Sequence, residues 1–148
     1  TNQKPSDIKI PLSNIKDFFT FNLINAEKIS ILYQLPTDNI IINYPESIEI
    51  IIRNWILNAI KHSSAQHITI DISKTGKKVK IVIFDDGKII TEESLQQIRK
   101  AISDTDDSQH KRDKKYGLFL IKKFLDFSGS TAEVKILNNK NTFMIFTK

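Results

Sequence analysis

Two amides and an ammonium lie along one edge of the most strongly patterned helical stretch of this sequence. They are Asn54, Asn58 and Lys61, at i, i+4 and i+7 within PESIEIIIRNWILNAIKHS. Side chains three and four residues apart are neighbours on a helix surface, so this spacing lets all three line a single site. A simpler reading is also open, in which the amides satisfy nearby backbone groups and Lys61 is a solvated helix end. The helix itself follows from the apolar residues. Ile48, Ile51, Ile52, Trp55, Ile56, Ala59 and Ile60 recur at three- and four-residue steps, the period of a helix buried on one side. Pro45 at the start, Glu46 and Glu49 early, and Lys61 and His62 late suit the two ends of its dipole.

The elements around this helix read as a mixed chain. Residues 7–12 predict a short strand and 12–26 a helix, with Ser13 as a cap and Ile15, Phe18 and Phe19 on its apolar side. Residues 29–35 and 39–42 predict short strands around a turn at 36–39. Strict alternation over 67–73 pairs with 79–84 across a turn at 75–78, an antiparallel hairpin. From 85 to 115 the apolar pattern thins to one helix, 92–102, followed by DTDDSQHKRDKK, and a polar stretch of that length reads as a lid or binding loop. Helical period returns over 116–128 and ends at Gly129. Residues 131–137 and 142–147 close the chain as a hairpin across Asn138, Asn139, Lys140 and Asn141. The expected class is α+β: a two-layer sandwich of a mixed, mainly antiparallel sheet with helices on one face.

Composition removes several alternatives. At 148 residues the chain suits one domain, and 40% hydrophobic with 26% charged residues is ordinary for a folded one. The net charge of +5 is spread along the chain, and its densest basic cluster, HKRDKK, is broken by Asp113, so nucleic acid is not expected as a partner. With no cysteine there are no disulfides, thiolate metal sites or cysteine nucleophiles. No apolar run approaches a membrane span and no signal peptide is visible, so no direct membrane contact is expected from this segment. The chain begins at Thr1 rather than Met, which fits a piece of a longer protein.

Three segments, in order, resemble the ATP-binding catalytic domain of sensor histidine kinases, a relative of the gyrase-type ATPases with the Bergerat fold. RNWILNAIKHS is close to that family's N box, IVIFDDGKII matches D-x-G-x-G in Asp85 and Gly87, and KYGLFLIKKFLDFSGS with NTFMIF resembles G-x-G-L-G-L followed by a helix and a terminal hairpin. The resemblance implies ATP and Mg²⁺ as cofactors. It assigns Mg²⁺ to the Asn58 amide oxygen, a hard ligand for a hard cation. It assigns phosphate or metal-bound water to Asn54, phosphate charge to Lys61, and a place near the nucleotide to His62. Asp85 is implied as acceptor of the adenine amino group, Gly87 as the turn under the base, and Gly117 with Leu118 as the helix start whose free amides receive phosphate.

The resemblance is incomplete, since Ile89, Lys115 and Phe119 stand where the family has glycine. If such a position needs positive φ, a side chain there costs roughly 1–2 kcal/mol. Arg112, Lys114 and Lys115 suggest cationic contacts in place of amides, or simply a solvated charge run. Gyrase-like relatives have a Glu base where this chain has Asn54, and a neutral amide cannot take a proton from water. The implied reaction is therefore transfer of the γ-phosphate to a histidine on a separate dimerisation domain, and then to the receiver domain of a response regulator. His62, His67 and His110 do not have the surroundings of such an acceptor. The implied location is cytoplasmic, with any membrane anchor elsewhere in the parent protein. The alternative is a nucleotide-free domain of the same fold, acting as a regulatory docking module.

Overall fold

The computed structural model describes residues 7–10, 30–34, 36, 40–76, 78–103 and 116–147. The element order is β1 (Asp7–Ile10), β2 (Ser30–Gln34), β3 (Ile40–Asn43), α1 (Pro45–Ser63), β4 (His67–Thr75), β5 (Lys78–Asp85), α2 (Glu92–Ser103), α3 (Tyr116–Ser128), β6 (Thr131–Leu137) and β7 (Lys140–Phe146). The helix expected over 12–26, with Ser13, Ile15, Phe18 and Phe19, lies outside the described residues. So does the stretch 104–115 that carries His110, Arg112, Lys114 and Lys115.

The main sheet has the order β2-β4-β5-β7-β6, parallel between β2 and β4 and antiparallel elsewhere, while β1 and β3 form a separate antiparallel pair. Alternation along β4 and β5 turns Ile68, Ile70, Ile72, Val79, Ile81 and Ile83 to one face. The apolar stripes of α1, α2 and α3 are buried against that face, forming one continuous core. This is the α+β sandwich with a mixed, mainly antiparallel sheet and helices on one face that the pattern implied.

α1 is the central element of the helical layer. Ile48, Ile51, Ile52 and Ile56 are wholly buried along it, and the Trp55 ring stacks on Phe143 of β7 with centroids 4.3 Å apart and planes 10° from parallel. Pro45 occupies its first turn, and at the far end Ser64 turns left-handed while the Ala65 amide donates back to the Ala59 carbonyl at 3.2 Å. The last hairpin is tighter than the sequence suggested. Its turn is Asn138 and Asn139 alone, both with positive φ (52° and 60°), as a two-residue turn between right-twisted strands requires. β7 therefore starts at Lys140, and Asn141 belongs to the ladder opposite Asp85 rather than to the turn.

The Trp55–Phe143 stack joins helix and sheet at the middle of the core. Trp55→Ala is expected to lower the unfolding free energy by about 3–5 kcal/mol. Urea titration checks this, with a lowered midpoint and an unchanged slope as the expected result.

Candidate functional site

The amide edge of α1 faces the first turn of α3. A Cβ placed on Gly117 would stand 3.3 Å from Asn58 Oδ1, 3.5 Å from Asn58 Nδ2 and 3.6 Å from Asn54 Oδ1. Glycine at this position lets the start of α3 approach both asparagines. Three of the residues singled out by type and spacing thus meet, across 59 and 63 residues of sequence. The first backbone amides of α3, including those of Gly117 and Leu118, have no intrahelical acceptor and none elsewhere among the described residues, an arrangement that suits an anion. The Leu118 side chain, by contrast, is buried in the core, so only its backbone amide is available to a ligand.

The two asparagines differ in what they have left to offer. Asn54 Nδ2 donates one of its two hydrogens to the Ile50 carbonyl at 2.8 Å, one helical turn back, which fixes the amide plane and leaves its oxygen and its second N–H. The Asn58 amide has no hydrogen-bond partner among the described residues. Its oxygen, at the mouth of the Gly117 approach, fits a hard cation held together with phosphate. Among the described residues no three His, Asp or Glu side chains converge on a metal position, so a cation here would depend on the amide and on the phosphates themselves. Lys61 and His62 both lie exposed in the last turn of α1.

The second half of the site is the end of β5. Asp85 is 2% exposed, and its Oδ1 accepts from the Gly87 amide at 2.9 Å and from Asn141 Nδ2 at 3.1 Å. Among the described residues Oδ2 has no donor. Burial raises the Asp85 pKa above its ordinary 3.8; the Asn141 and Gly87 hydrogen bonds pull it down, and the neighbouring Asp86 charge adds to the rise. Gly87 is required by contact. A Cβ there would lie 2.5 Å from the Ser63 carbonyl oxygen and 2.7 Å from Ser63 Cβ, and the Lys88 amide donates to that same carbonyl at 2.7 Å. The loop after β5 is thereby fastened to the C-terminal end of α1.

Asp86 points the other way. Its Oδ1 accepts from the amides of Gln66 and His67, both at 2.9 Å, and its Oδ2 is 2.7 Å from His67 Nδ1. Partial desolvation opposes ionisation here, but the two amides and the imidazole outweigh it and hold this carboxyl down at about 2.

The sequence reading missed Asn141, taken there for a turn residue. It is wholly buried, donates to both Asp85 Oδ1 and the Lys88 carbonyl (2.9 Å), and accepts from the Ile90 amide at 2.9 Å. Among four residues of the run NNKN only the register of β6 on β7 singles it out. Two of the non-glycine positions also read differently in three dimensions. Ile89 is 42% exposed without positive φ, and Phe119 lies inside α3 without positive φ, so the strain considered for a side chain at these positions does not arise. Lys115 lies outside the described residues.

Two adjacent carboxyls should therefore respond to pH with opposite sign. The Asp85 pKa is raised on folding, so its contribution to stability is full below 3.8 and is lost as pH rises through the folded value. The Asp86 pKa is lowered, so its contribution is present above 3.8 and is lost as pH falls towards about 2. Relative to wild type, Asp85→Asn should gain in melting temperature between pH 3 and pH 7, and Asp86→Asn should lose over the same range. Gly87→Ala, which forces a methyl group onto the Ser63 carbonyl, should destabilise by about 1–3 kcal/mol in the same melts.

Residues 43–148 match the family model described as histidine kinase-, DNA gyrase B-, and HSP90-like ATPase. No curated protein matches the chain. Among solved structures, the catalytic domain of histidine kinase ThkA, in a nucleotide-free form, superposes with a TM-score of 0.71 at 17% identity, covering 96% of this chain and 95% of that one. The ATP binding domain of PrrB from Mycobacterium tuberculosis gives 0.69 at 17% identity, covering 95% of each chain. The Acinetobacter baumannii histidine kinase AdeS gives 0.65 at 18% identity, covering 99% of this chain and 68% of that one. With the family model spanning all of α1, the loop after β5, and α3, this chain belongs to the family of histidine kinase-, DNA gyrase B- and HSP90-like ATPases and has the fold of a histidine kinase catalytic domain.

Proposed function

We propose that this domain binds ATP with Mg²⁺ between α1 and the start of α3 and presents the γ-phosphate to a histidine on a separate dimerisation domain. The observation that carries the reading is the approach of Gly117 to Asn54 and Asn58. It sets a helix N-terminus, which favours phosphate, beside an amide oxygen with no partner among the described residues, which favours a hard cation. At the C-terminal end of α1 a buried carboxylate keeps one oxygen without a donor among the described residues, which suits the amino group of adenine.

In this reading Asp85 Oδ2 accepts from the adenine amino group, and Gly87 lets the backbone pass beneath the base. The amides of Gly117 and Leu118 hold phosphate oxygens, and exposed Lys61 adds positive charge near them, with His62 beside the nucleotide. Asn58 would hold Mg²⁺, whose role is to neutralise charge on the phosphates. Asn54 orients water on that side. An amide has no basicity at neutral pH, so Asn54 is not a general base for activating water, and the chemistry this reading leaves to the domain is positioning of a phosphoryl group for an external nucleophile. The partners that follow are the histidine-bearing dimerisation domain and the receiver domain of a response regulator, which places the reaction in two-component signalling in the cytoplasm. Among the described residues no helix is long and apolar enough to cross a membrane.

Calorimetric titration of the domain with ATP, with and without Mg²⁺, tests the proposal. Wild type should bind ATP more tightly with Mg²⁺ present, and Asn58→Ala should lose that Mg²⁺ dependence. Asp85→Asn should bind at least tenfold more weakly, about 1.4 kcal/mol. Equal binding by wild type and Asp85→Asn would remove the adenine assignment. No binding at millimolar nucleotide would leave the alternative, a nucleotide-free docking module.

A further inference from the structure

We propose that Asn141 is a positioning residue that sets the base preference of the site, by occupying one oxygen of Asp85 and leaving only the other to meet a purine. This rests on the reading of Asp85 as the acceptor of the adenine amino group.

Asn141 lies directly opposite Asp85 in the β5–β7 register and is wholly buried. No part of it is left over for a ligand. Its Nδ2 divides between Asp85 Oδ1 (3.1 Å) and the Lys88 carbonyl (2.9 Å), and its Oδ1 takes the Ile90 amide (2.9 Å). With the Gly87 amide also on Asp85 Oδ1 at 2.9 Å, that oxygen has two donors and both its lone pairs are engaged. The carboxylate plane is thereby fixed, and Oδ2 is the oxygen left without a protein donor among the described residues. The same side chain brackets the loop that bears the base, because Lys88 and Ile90 are held on either side of exposed Ile89.

With Oδ1 holding two donors, the Oδ2 of a carboxylate fixed in this plane offers an acceptor. It pairs with a 6-amino purine and repels a 6-keto purine, whose oxygen is also an acceptor. Removing Asn141 takes away one of the two donors that hold the carboxylate in that plane and frees it to rotate. The contribution of the amino group should then fall while the phosphate side is untouched, so discrimination is lost rather than binding as a whole. A residue that merely supported the fold would weaken both nucleotides together.

The test is the ratio of affinities for Mg²⁺-ATP and Mg²⁺-ITP, which differ at the 6-position, measured by calorimetry on wild type and Asn141→Ala. Circular dichroism and thermal melting establish that the variant is folded. Wild type should prefer ATP by at least tenfold, and in Asn141→Ala the preference should collapse towards one through loss of ATP affinity alone. Asn141→Leu, which fills the same space with an apolar branched side chain, should give the same collapse and serves if the alanine variant does not fold. A folded variant that keeps the wild-type ratio overturns the role of Asn141 and leaves the site reading standing. A wild-type domain that binds neither nucleotide, or both equally, overturns the site reading and this proposal with it.

Discussion

The backbone contact between the end of α1 and the loop after β5 is the constraint on which the site depends. The Ser63 carbonyl accepts from Lys88, and Gly87 passes so close that a methyl group would overlap the same carbonyl. Because α1 is rigid and half-buried, fastening its last turn to the strand end fixes the distance between Asp85 and the amides of Asn54 and Asn58. The core sets the rest, since Trp55 on Phe143 holds the same helix against the same sheet. Neither half of the site can move without strain in the other.

Two neighbouring acids at the strand end show how strongly position decides chemistry. Asp85 is turned inward by strand alternation, and burial raises its pKa despite two hydrogen bonds. Asp86 turns outward, takes two amides and an imidazole, and is held ionised to about pH 2. The second carboxyl joins the loop to the start of β4. Among the described residues the first keeps an oxygen without a donor, at the cost of desolvation, which is the balance the proposed binding role calls for.

At Ile89 and Phe119 the missing glycine has a milder consequence than the motif alone suggests. Glycine is demanded where φ is positive or where another backbone comes too near. Here close approach demands it at Gly87 and accounts for it at Gly117, while Ile89 is exposed and Phe119 continues an ordinary helix. At Gly87 a Cβ would overlap the Ser63 carbonyl at 2.5 Å, whereas at Gly117 it would be only slightly tight, 3.3 Å from Asn58 Oδ1.

What the sequence by itself determined was every feature with a local cause. α1 and α3 occupy the spans read from helical period, and the β4–β5 hairpin follows its alternation within a residue or two, because periodicity and end signals act over a single turn or strand. The identity of the amide edge was legible for the same reason. What only the tertiary structure decided was the state of each polar group. Asn54 and Asn58 have the same side chain on the same helix edge, yet one is tied to Ile50 and the other has no partner among the described residues. Asn141 is one of three asparagines in four residues, and its role rests on bonds to groups 51 to 56 positions away. Hydrogen bonds of that range depend on strand register and on how the layers stack, which no local pattern encodes.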